Sequence, residues 1–169
     1  AGKDNHYWKR TTKFTFYQNN LNNQEILIEL DDFSPCMPNP HIYFGKDSFQ
    51  LRQVSQVALD GLVQTMFENP SIVITIEAFT NYNEEEMLSW KRAISIRDYL
   101  VKNAVPTERL RIMGNAYQPM IIDWSFSFFQ KGDELNQEYL NKLSNEQKEE
   151  AMQMNRRAIF SVFSDDYGK

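Results

Sequence analysis

The sequence contains one cysteine and two histidines in 169 residues, which excludes several kinds of site. A single thiol, Cys36, excludes an intrachain disulfide. Cys36 lies among three prolines, which favour an extended segment without a preorganised base, so we interpret it as a linker thiol. His6 and His41 do not show the spacing of a metal site. We therefore expect no metal and no other cofactor.

Long apolar runs, basic clusters and catalytic motifs are also missing. No run approaches the roughly 20 apolar residues that span a bilayer. A net charge of −5 without a dense basic patch argues against binding to nucleic acid or anionic lipid. No H-E-x-x-H, G-x-S-x-G or phosphate-binding loop occurs. Pairs of acidic residues could suggest a hydrolase, but such pairs are common by chance. We therefore expect that the chain is not an enzyme and name no catalytic residue.

The chain has enough apolar material for one domain with an appendage. Hydrophobic residues make up 41% of the sequence and aromatic residues 14%. Residues 13–30 are typical of a β-hairpin around an Asn-rich turn, and a Pro-rich stretch at 35–40 ends that region. We expect an N-terminal extension at 1–40, a main domain at 41–163 and a tail at 164–169.

Hydrophobic periodicity predicts alternating strands and helices in the main domain. The strands are expected at 42–44, 72–76, 109–113 and 158–163. The helices are expected at 49–68, 84–102 and 144–154, the last beginning at a capping box. The inward positions are predicted to be Leu51, Val54, Ala58, Leu62 and Met66 on the first helix, Ala93, Ile96 and Leu100 on the second, and Ile159, Phe160 and Val162 on the last strand. This β-α-β-α-β-α-β order predicts an α/β fold, an α+β sandwich in which helices pack on a mixed sheet.

Residues 120–143 follow no clean pattern and are expected to be an insertion. Trp124, Phe126 and Phe128 alternate, so they would share one face of an extended strand. One interpretation is a hydrophobic plug that covers the sheet or a helix. The other is an exposed aromatic patch that docks an envelope protein.

Four short stretches of the sequence follow one another in the order that is found in the OmpA-like family, which the chain therefore resembles. They are I-Y-F-G-K-D-S-F-Q-L at 42–51, I-T-I-E-A-F-T-N at 74–81, L-S-W-K-R-A at 88–93 and N-R-R-A-I-F at 155–160. The family includes the OmpA C-terminal and peptidoglycan-associated lipoprotein types, periplasmic modules that hold peptidoglycan in Gram-negative envelopes. The resemblance therefore implies an OmpA-like fold for residues 41–163.

The resemblance also implies a pocket for the diaminopimelate side chain of the peptidoglycan stem peptide. In the family an Asp after the second strand pairs with the ligand's ammonium group, and an Arg on the second helix forks onto its carboxylate. Arg92 stands at the Arg position, Asn81 at the Asp position and Phe79 at a His position. The expected ligand-binding residues are Asn81, Arg92, Thr80, Phe79, Phe44, Gly45, Asn155 and Arg156.

The chain departs from the family pattern at this pocket. Asn81 supplies no charge, and because a hydrogen bond to a charged group is worth roughly 1.5–3 kcal/mol against about 1 for a neutral one, the change would cost about tenfold in affinity. The loop after Asn81 is short, but Glu84, Glu85 and Glu86 offer a carboxylate in compensation.

Each expected ligand contact also has a structural interpretation. Arg92 would then pair with a glutamate of its own helix, and the three glutamates would form a solvated helix start. Asn155 and Arg156 would fasten the last helix to the sheet, while Phe79 would pack in the interior.

The sequence thus leads to two hypotheses of function. The first is a noncatalytic peptidoglycan-binding module that tethers an envelope complex to the cell wall. The second is an envelope scaffold that keeps the fold without the glycan ligand and contacts a protein partner through the N-terminal hairpin and the 121–130 segment, with Trp124, Phe126 and Phe128. The resemblance also implies a periplasmic, outer-membrane-associated location.

Overall fold

The predicted alternation of strands and helices is confirmed by a computed structural model, which describes residues 41–123 and 125–168. The elements are β1 (Ile42–Tyr43), α1 (Gln53–Glu68), β2 (Val73–Thr80), α2 (Met87–Lys102), a 3-10 turn (Thr107–Arg109), β3 (Leu110–Tyr117), α3 (Gln137–Leu140), α4 (Asn145–Asn155) and β4 (Arg157–Ser164). The short helix α3 was not predicted. The predicted hairpin at 13–30 and the rest of the N-terminal extension lie outside the described residues.

The four strands form one mixed sheet in the order β1-β4-β2-β3. β2 pairs in parallel with β3 and antiparallel with β4, which pairs antiparallel with β1. β2 is central and almost entirely buried, as its run of β-branched and apolar residues leads one to expect. The strand continues past the predicted end at residue 76 to Thr80. The family-like stretch at 74–81 therefore lies on this central strand up to the strand's last residue.

The main core lies between the sheet and helices α1 and α2. Leu59, Leu62 and Met66 of α1 are buried, but Val54, predicted to face inward, is 74% exposed. The prediction was wrong because a row of residues four apart drifts by about 40° per step around a helix of 3.6 residues per turn. Over two steps from Leu62, this drift carries Val54 to the solvent side.

The predicted core residues of α2 are all buried, whereas those of the last strand are buried only in part. All three α2 positions are buried, namely Ala93, Ile96 and Leu100. Phe160 of β4 is buried, whereas Ile159 is only partly buried and Val162 is 36% exposed. Adjacent strand residues point to opposite faces, so Ile159 and Phe160 cannot both face the helices.

The insertion and α4 pack together around a second, smaller core. It consists of Met120, Ile122, Phe129, Leu135, Leu140, Ala151, Met152 and Met154. The predicted extended strand is wrong, because Phe126 and Phe129 exchange backbone hydrogen bonds of 3.1 and 2.9 Å that close a tight turn. Phe126 and Phe128 are half-buried against this core and Phe129 is fully buried. Trp124 lies outside the described residues.

Two helix ends show why the chain turns where it does. The predicted capping box is present, since Ser144 Oγ accepts from the Gln147 backbone N–H and the Gln147 side chain accepts from the Ser144 N–H. At the end of α2, the N–H groups of Ala104 and Val105 donate to Val101 and Leu100 carbonyls, at 3.0 and 3.1 Å. This is a Schellman motif, and its left-handed position holds Ala104 at φ 64°.

Candidate functional site

The candidate site lies where β2 ends, between the loop at 45–48 and the first turns of α2. Close packing fixes α2 here: a Cβ atom at Gly114 of β3 would lie 2.5 Å from Trp90 Cδ1. Ser89 Oγ accepts from the Ala116 N–H at 3.3 Å and donates to the Glu86 carbonyl at 2.6 Å. The start of α2 is therefore tied to the sheet, and Arg92 is held beneath the end of β2.

Arg92 is fully buried, and its guanidinium group is saturated with hydrogen bonds. Nε donates to the Ser48 carbonyl at 2.9 Å. Nη1 donates to the Phe79 carbonyl at 3.0 Å and Nη2 to the Gly45 carbonyl at 3.1 Å. The two remaining N–H groups donate to the two carboxylate oxygens of Glu84, at 2.9 and 2.7 Å. All the N–H donors of a guanidinium thus have acceptors within the chain.

Glu84 forms the other half of this ion pair, and both side chains are 0% exposed. Besides the fork from Arg92, its carboxylate accepts from the backbone N–H groups of Asn81 and Asp47, each at 2.8 Å. Burial by itself raises the pKa of Glu84, but the hydrogen bonds from Arg92, Asn81 and Asp47 and the charge of Arg92 outweigh it. The pKa of Glu84 therefore lies below its ordinary value.

This arrangement corrects the predicted start of α2. The helix was expected from residue 84 with acidic residues in its first turn, but it begins at Met87 and has no acidic residue there. Glu85 and Glu86 are exposed, as expected for solvated glutamates, whereas Glu84 turns back to Arg92. The pairing glutamate thus comes from the loop before α2 and not from the helix itself.

Asn81 is also buried, and its amide group is used within the chain. Its Nδ2 donates to Asn83 Oδ1 at 2.8 Å, and its Oδ1 accepts from Asn155 Nδ2 at 3.3 Å. Asn155 in turn accepts from the Met120 N–H at 2.8 Å and donates to the Leu135 carbonyl at 2.9 Å. Asn155 therefore joins the insertion to the loop of the candidate site.

The aromatic candidates are packed in the interior. Phe44 is fully buried, and the Arg92 guanidinium carbon lies 5.2 Å from the centre of its ring. Phe79 is 2% exposed, and Arg157 lies over its ring at 4.3 Å. Phe79 contacts Arg92 through its backbone carbonyl oxygen. Phe44 and Phe79 therefore shape the site, and neither presents its side chain to solvent.

The two other candidates have polar atoms that the described residues leave unsatisfied. Thr80 is fully buried, and its Oγ1 has no hydrogen-bond partner within the described ranges. Arg156 is 1% exposed; its Nη2 donates to Glu149 at 2.8 Å, while its Nη1 has no partner among those same residues. Arg156 Nε approaches the Phe44 carbonyl at 3.4 Å, so it supports β1 rather than Arg92.

The structure thus brings together Phe44, Gly45, Phe79, Asn81 and Arg92, and places Asn155 one hydrogen bond farther away. Sequence reasoning missed the carbonyl of Ser48 and the N–H of Asp47, because no side-chain pattern reports backbone contacts. It offered Glu84 only as one of three equivalent glutamates. The signal that distinguishes Glu84 is its spacing, since a residue three positions after Asn81 is placed to reach back across a tight turn.

A cavity of about 590 Å³ lies elsewhere, between α1, α4 and the insertion. None of the eight predicted ligand-binding residues lines it, whereas Phe126 of the insertion does. Within residues 41–123 and 125–168, no cluster of His, Cys, Asp or Glu side chains has the arrangement of a metal site. No helix in the same ranges is long and apolar enough to cross a membrane.

Comparison with known proteins finds one matching family and a curated relative. The OmpA family matches residues 43–123. A peptidoglycan-associated lipoprotein of Rhizobium meliloti (strain 1021) is 37% identical over 76 residues, which cover 41% of this chain and 42% of that protein. The matched part is therefore less than half of that relative's length.

Solved structures share the fold at low sequence identity. The peptidoglycan-associated lipoprotein from Burkholderia pseudomallei has a TM-score of 0.52 at 20% identity, covering 72% of this chain and 88% of that one. The cell wall anchor of the T6SS from Pseudomonas aeruginosa has a TM-score of 0.51 at 16% identity, covering 75% and 80%. The chain thus has the fold of an OmpA-like domain, and its residues 43–123 are similar to the OmpA family.

Proposed function

We propose that this domain is a noncatalytic module of the cell envelope that associates with the cell wall and anchors a larger assembly to it. The match of residues 43–123 to the OmpA family supports this role. A curated relative named as a peptidoglycan-associated lipoprotein supports it as well. In this proposal the domain lies in the periplasm, in association with the outer membrane.

We further propose that the wall ligand is the diaminopimelate stem peptide and that it binds at Arg92 and Asn81. The observation that carries this proposal is the buried fork of Arg92, which already holds a carboxylate through two parallel hydrogen bonds of 2.9 and 2.7 Å. Planar bidentate pairing is the geometry that selects carboxylates. Phe79, Thr80, Phe44 and Gly45 would shape the site, and Asn155 and Arg156 would support it.

The test is a titration with two muropeptides that differ in one carboxylate. Diaminopimelate ends in an ammonium and a carboxylate, whereas lysine at the same position of the stem peptide has the ammonium alone. If Arg92 receives the ligand carboxylate, calorimetry gives tighter binding of the diaminopimelate muropeptide by at least about tenfold, because one charge-assisted pair is lost with lysine. Equal affinity for the two muropeptides would contradict the assignment of Arg92 to the ligand-binding site.

Arg92→Ala does not serve as a test of binding by itself, because removing this side chain also leaves Glu84 and three carbonyl groups without their donor. Arg97→Ala, at a partly exposed position of the same helix, is the matched control for any Arg92 variant. Amide shifts in NMR spectra provide a second readout. They should move first at Gly45, Ser48 and Asn81 when the muropeptide is added.

The second candidate is an envelope scaffold without the glycan ligand, and the occupied fork of Arg92 is the observation that favours it. In that case Phe126 and Phe128, with Trp124, would contact a protein partner, since Phe126 lines the cavity beside the insertion. Co-sedimentation with purified peptidoglycan sacculi separates the two candidates. A wall anchor sediments with the sacculi, whereas the scaffold stays in the supernatant.

A further inference from the structure

Glu84 occupies the place that a carboxylate ligand of Arg92 would take. We infer that Glu84 is an internal ligand of the Arg92 site, and that an outside carboxylate binds there only by displacing it. The identity of the outside ligand rests on the function proposed above, whereas the internal occupancy rests on the contacts of Glu84 alone.

The first argument is saturation. The two oxygens of Glu84 accept two hydrogen bonds from Arg92 and one each from the Asn81 and Asp47 N–H groups. These four donors converge on one carboxylate, and the Arg92 and Glu84 side chains are both 0% exposed. An added carboxylate finds no free N–H on Arg92 and no solvent path to it while Glu84 is in place.

The second argument is charge. A single guanidinium faces a single carboxylate here, because the residue at 81 is the neutral Asn81. A second carboxylate at hydrogen-bonding distance of Arg92 would lie within a few ångströms of Glu84, and like charges at that separation in a buried site repel strongly. Glu84 and a ligand carboxylate therefore exclude each other.

The third argument is that Glu84 lies on a surface loop outside the helices and strands. It lies between the end of β2 and the start of α2, and its exposed neighbours Asn83 and Glu85 leave that loop on the surface. The Glu84 N–H donates to the Asn81 carbonyl at 3.1 Å, a local turn outside the sheet. Displacing the side chain releases its carboxylate from Arg92 and from the Asn81 and Asp47 N–H groups, and it leaves the pairing of the sheet intact.

The first experiment needs no peptidoglycan. In Glu84→Ala, millimolar acetate should raise the thermal unfolding midpoint along a saturating curve, because acetate fills the vacated carboxylate position. Chloride at the same ionic strength should not raise it. Wild type and Glu85→Ala, the matched exposed control, should not respond to acetate. An unresponsive Glu84→Ala variant, or an equal response in wild type, would overturn the inference.

A second variant keeps the test valid if Glu84→Ala does not fold. Glu84→Gln keeps the shape of the side chain but removes its charge. It also replaces one acceptor oxygen by an amide NH2 group, which cannot accept a hydrogen bond from Arg92. It should bind the diaminopimelate muropeptide at least tenfold more tightly than wild type, with the lysine muropeptide little changed. Weaker binding than wild type would make Glu84 a ligand contact instead of a competitor and would overturn the inference.

The two experiments together separate this inference from the proposed function. If acetate rescues Glu84→Ala but no variant binds either muropeptide, the internal occupancy stands and the stem peptide is not the ligand. If wild type already binds the diaminopimelate muropeptide as tightly as Glu84→Gln does, the stem peptide is a ligand and Glu84 is not its competitor.

Discussion

The Glu84–Arg92 pair is expected to dominate the stability of the loop between β2 and α2. Glu84→Ala removes the carboxylate and leaves the Arg92 charge buried with two of its N–H groups unsatisfied. The Asn81 and Asp47 N–H groups lose their acceptor as well. Removing one partner of a buried pair costs about 3–5 kcal/mol because the other charge stays buried without compensation.

That magnitude follows from burial, because both side chains are 0% exposed. An exposed ion pair contributes only about 0–1 kcal/mol, since water and salt screen it. The described chain offers an exposed comparison in the Lys142–Glu138 pair, whose side chains are 69% and 82% exposed. Glu138→Ala should therefore leave stability unchanged within error.

Urea unfolding followed by circular dichroism measures the difference. Glu84→Ala should lower the free energy of unfolding by about 3–5 kcal/mol, a large part of the roughly 5–15 kcal/mol of an ordinary domain. The double variant Glu84→Ala/Arg92→Met should recover part of the loss, because it no longer leaves a buried charge unpaired. A loss below about 1 kcal/mol in Glu84→Ala would mean that water reaches the pair, and the description of a buried site would be wrong.

Three further predictions concern other observations. The lowered pKa of Glu84 contributes stability that is present above the unfolded pKa of about 4.3 and is lost as pH falls through the folded value. Glu84→Gln should therefore flatten the fall in the unfolding midpoint measured below about pH 4.3, and an unchanged acid profile would contradict this. Ala104→Gly should raise stability by about 1 kcal/mol in urea unfolding, because φ of 64° at Ala104 strains a residue with a Cβ; a decrease would count against the Schellman geometry. Gly114→Ala should cost about 1–3 kcal/mol and shift Trp90 fluorescence, because the new Cβ would lie 2.5 Å from that ring; unchanged stability would refute such close packing.

The element order was predictable because it depends on local patterns. A β-branched run gave β2, and Ser144 with Gln147 gave the start of α4, since capping depends on neighbouring residues. Val54 and the aromatic residues of the insertion show the limit of such patterns. The side that Val54 faces depends on where the sheet lies, and Phe126 forms a turn with Phe129 where the insertion packs with α4 around the second core.

The candidate site was predictable in its parts but not in its connections. Arg92 and Asn81 were identified from the family-like stretches. Asn81 directly follows β2, and Arg92, on α2, donates to the Phe79 carbonyl of that strand. That Glu84 fills the fork of Arg92 was only one of several alternatives, because residue type alone does not distinguish three consecutive glutamates. The path of the loop buries the Glu84 side chain and leaves Glu85 and Glu86 exposed.

The sequence by itself determined the α+β order of strands and helices, because periodicity and capping act over a few neighbouring positions. Its resemblance to the OmpA-like family indicated the class and marked Arg92 and the uncharged Asn81 as candidates. Only the tertiary structure decided what Arg92 binds. Its acceptors come from the loop after β1, from the end of β2 and from the loop before α2, segments that meet in space alone. A carboxylate buried among four donors is favourable only where all of them converge, and the folded chain places Glu84 at that point.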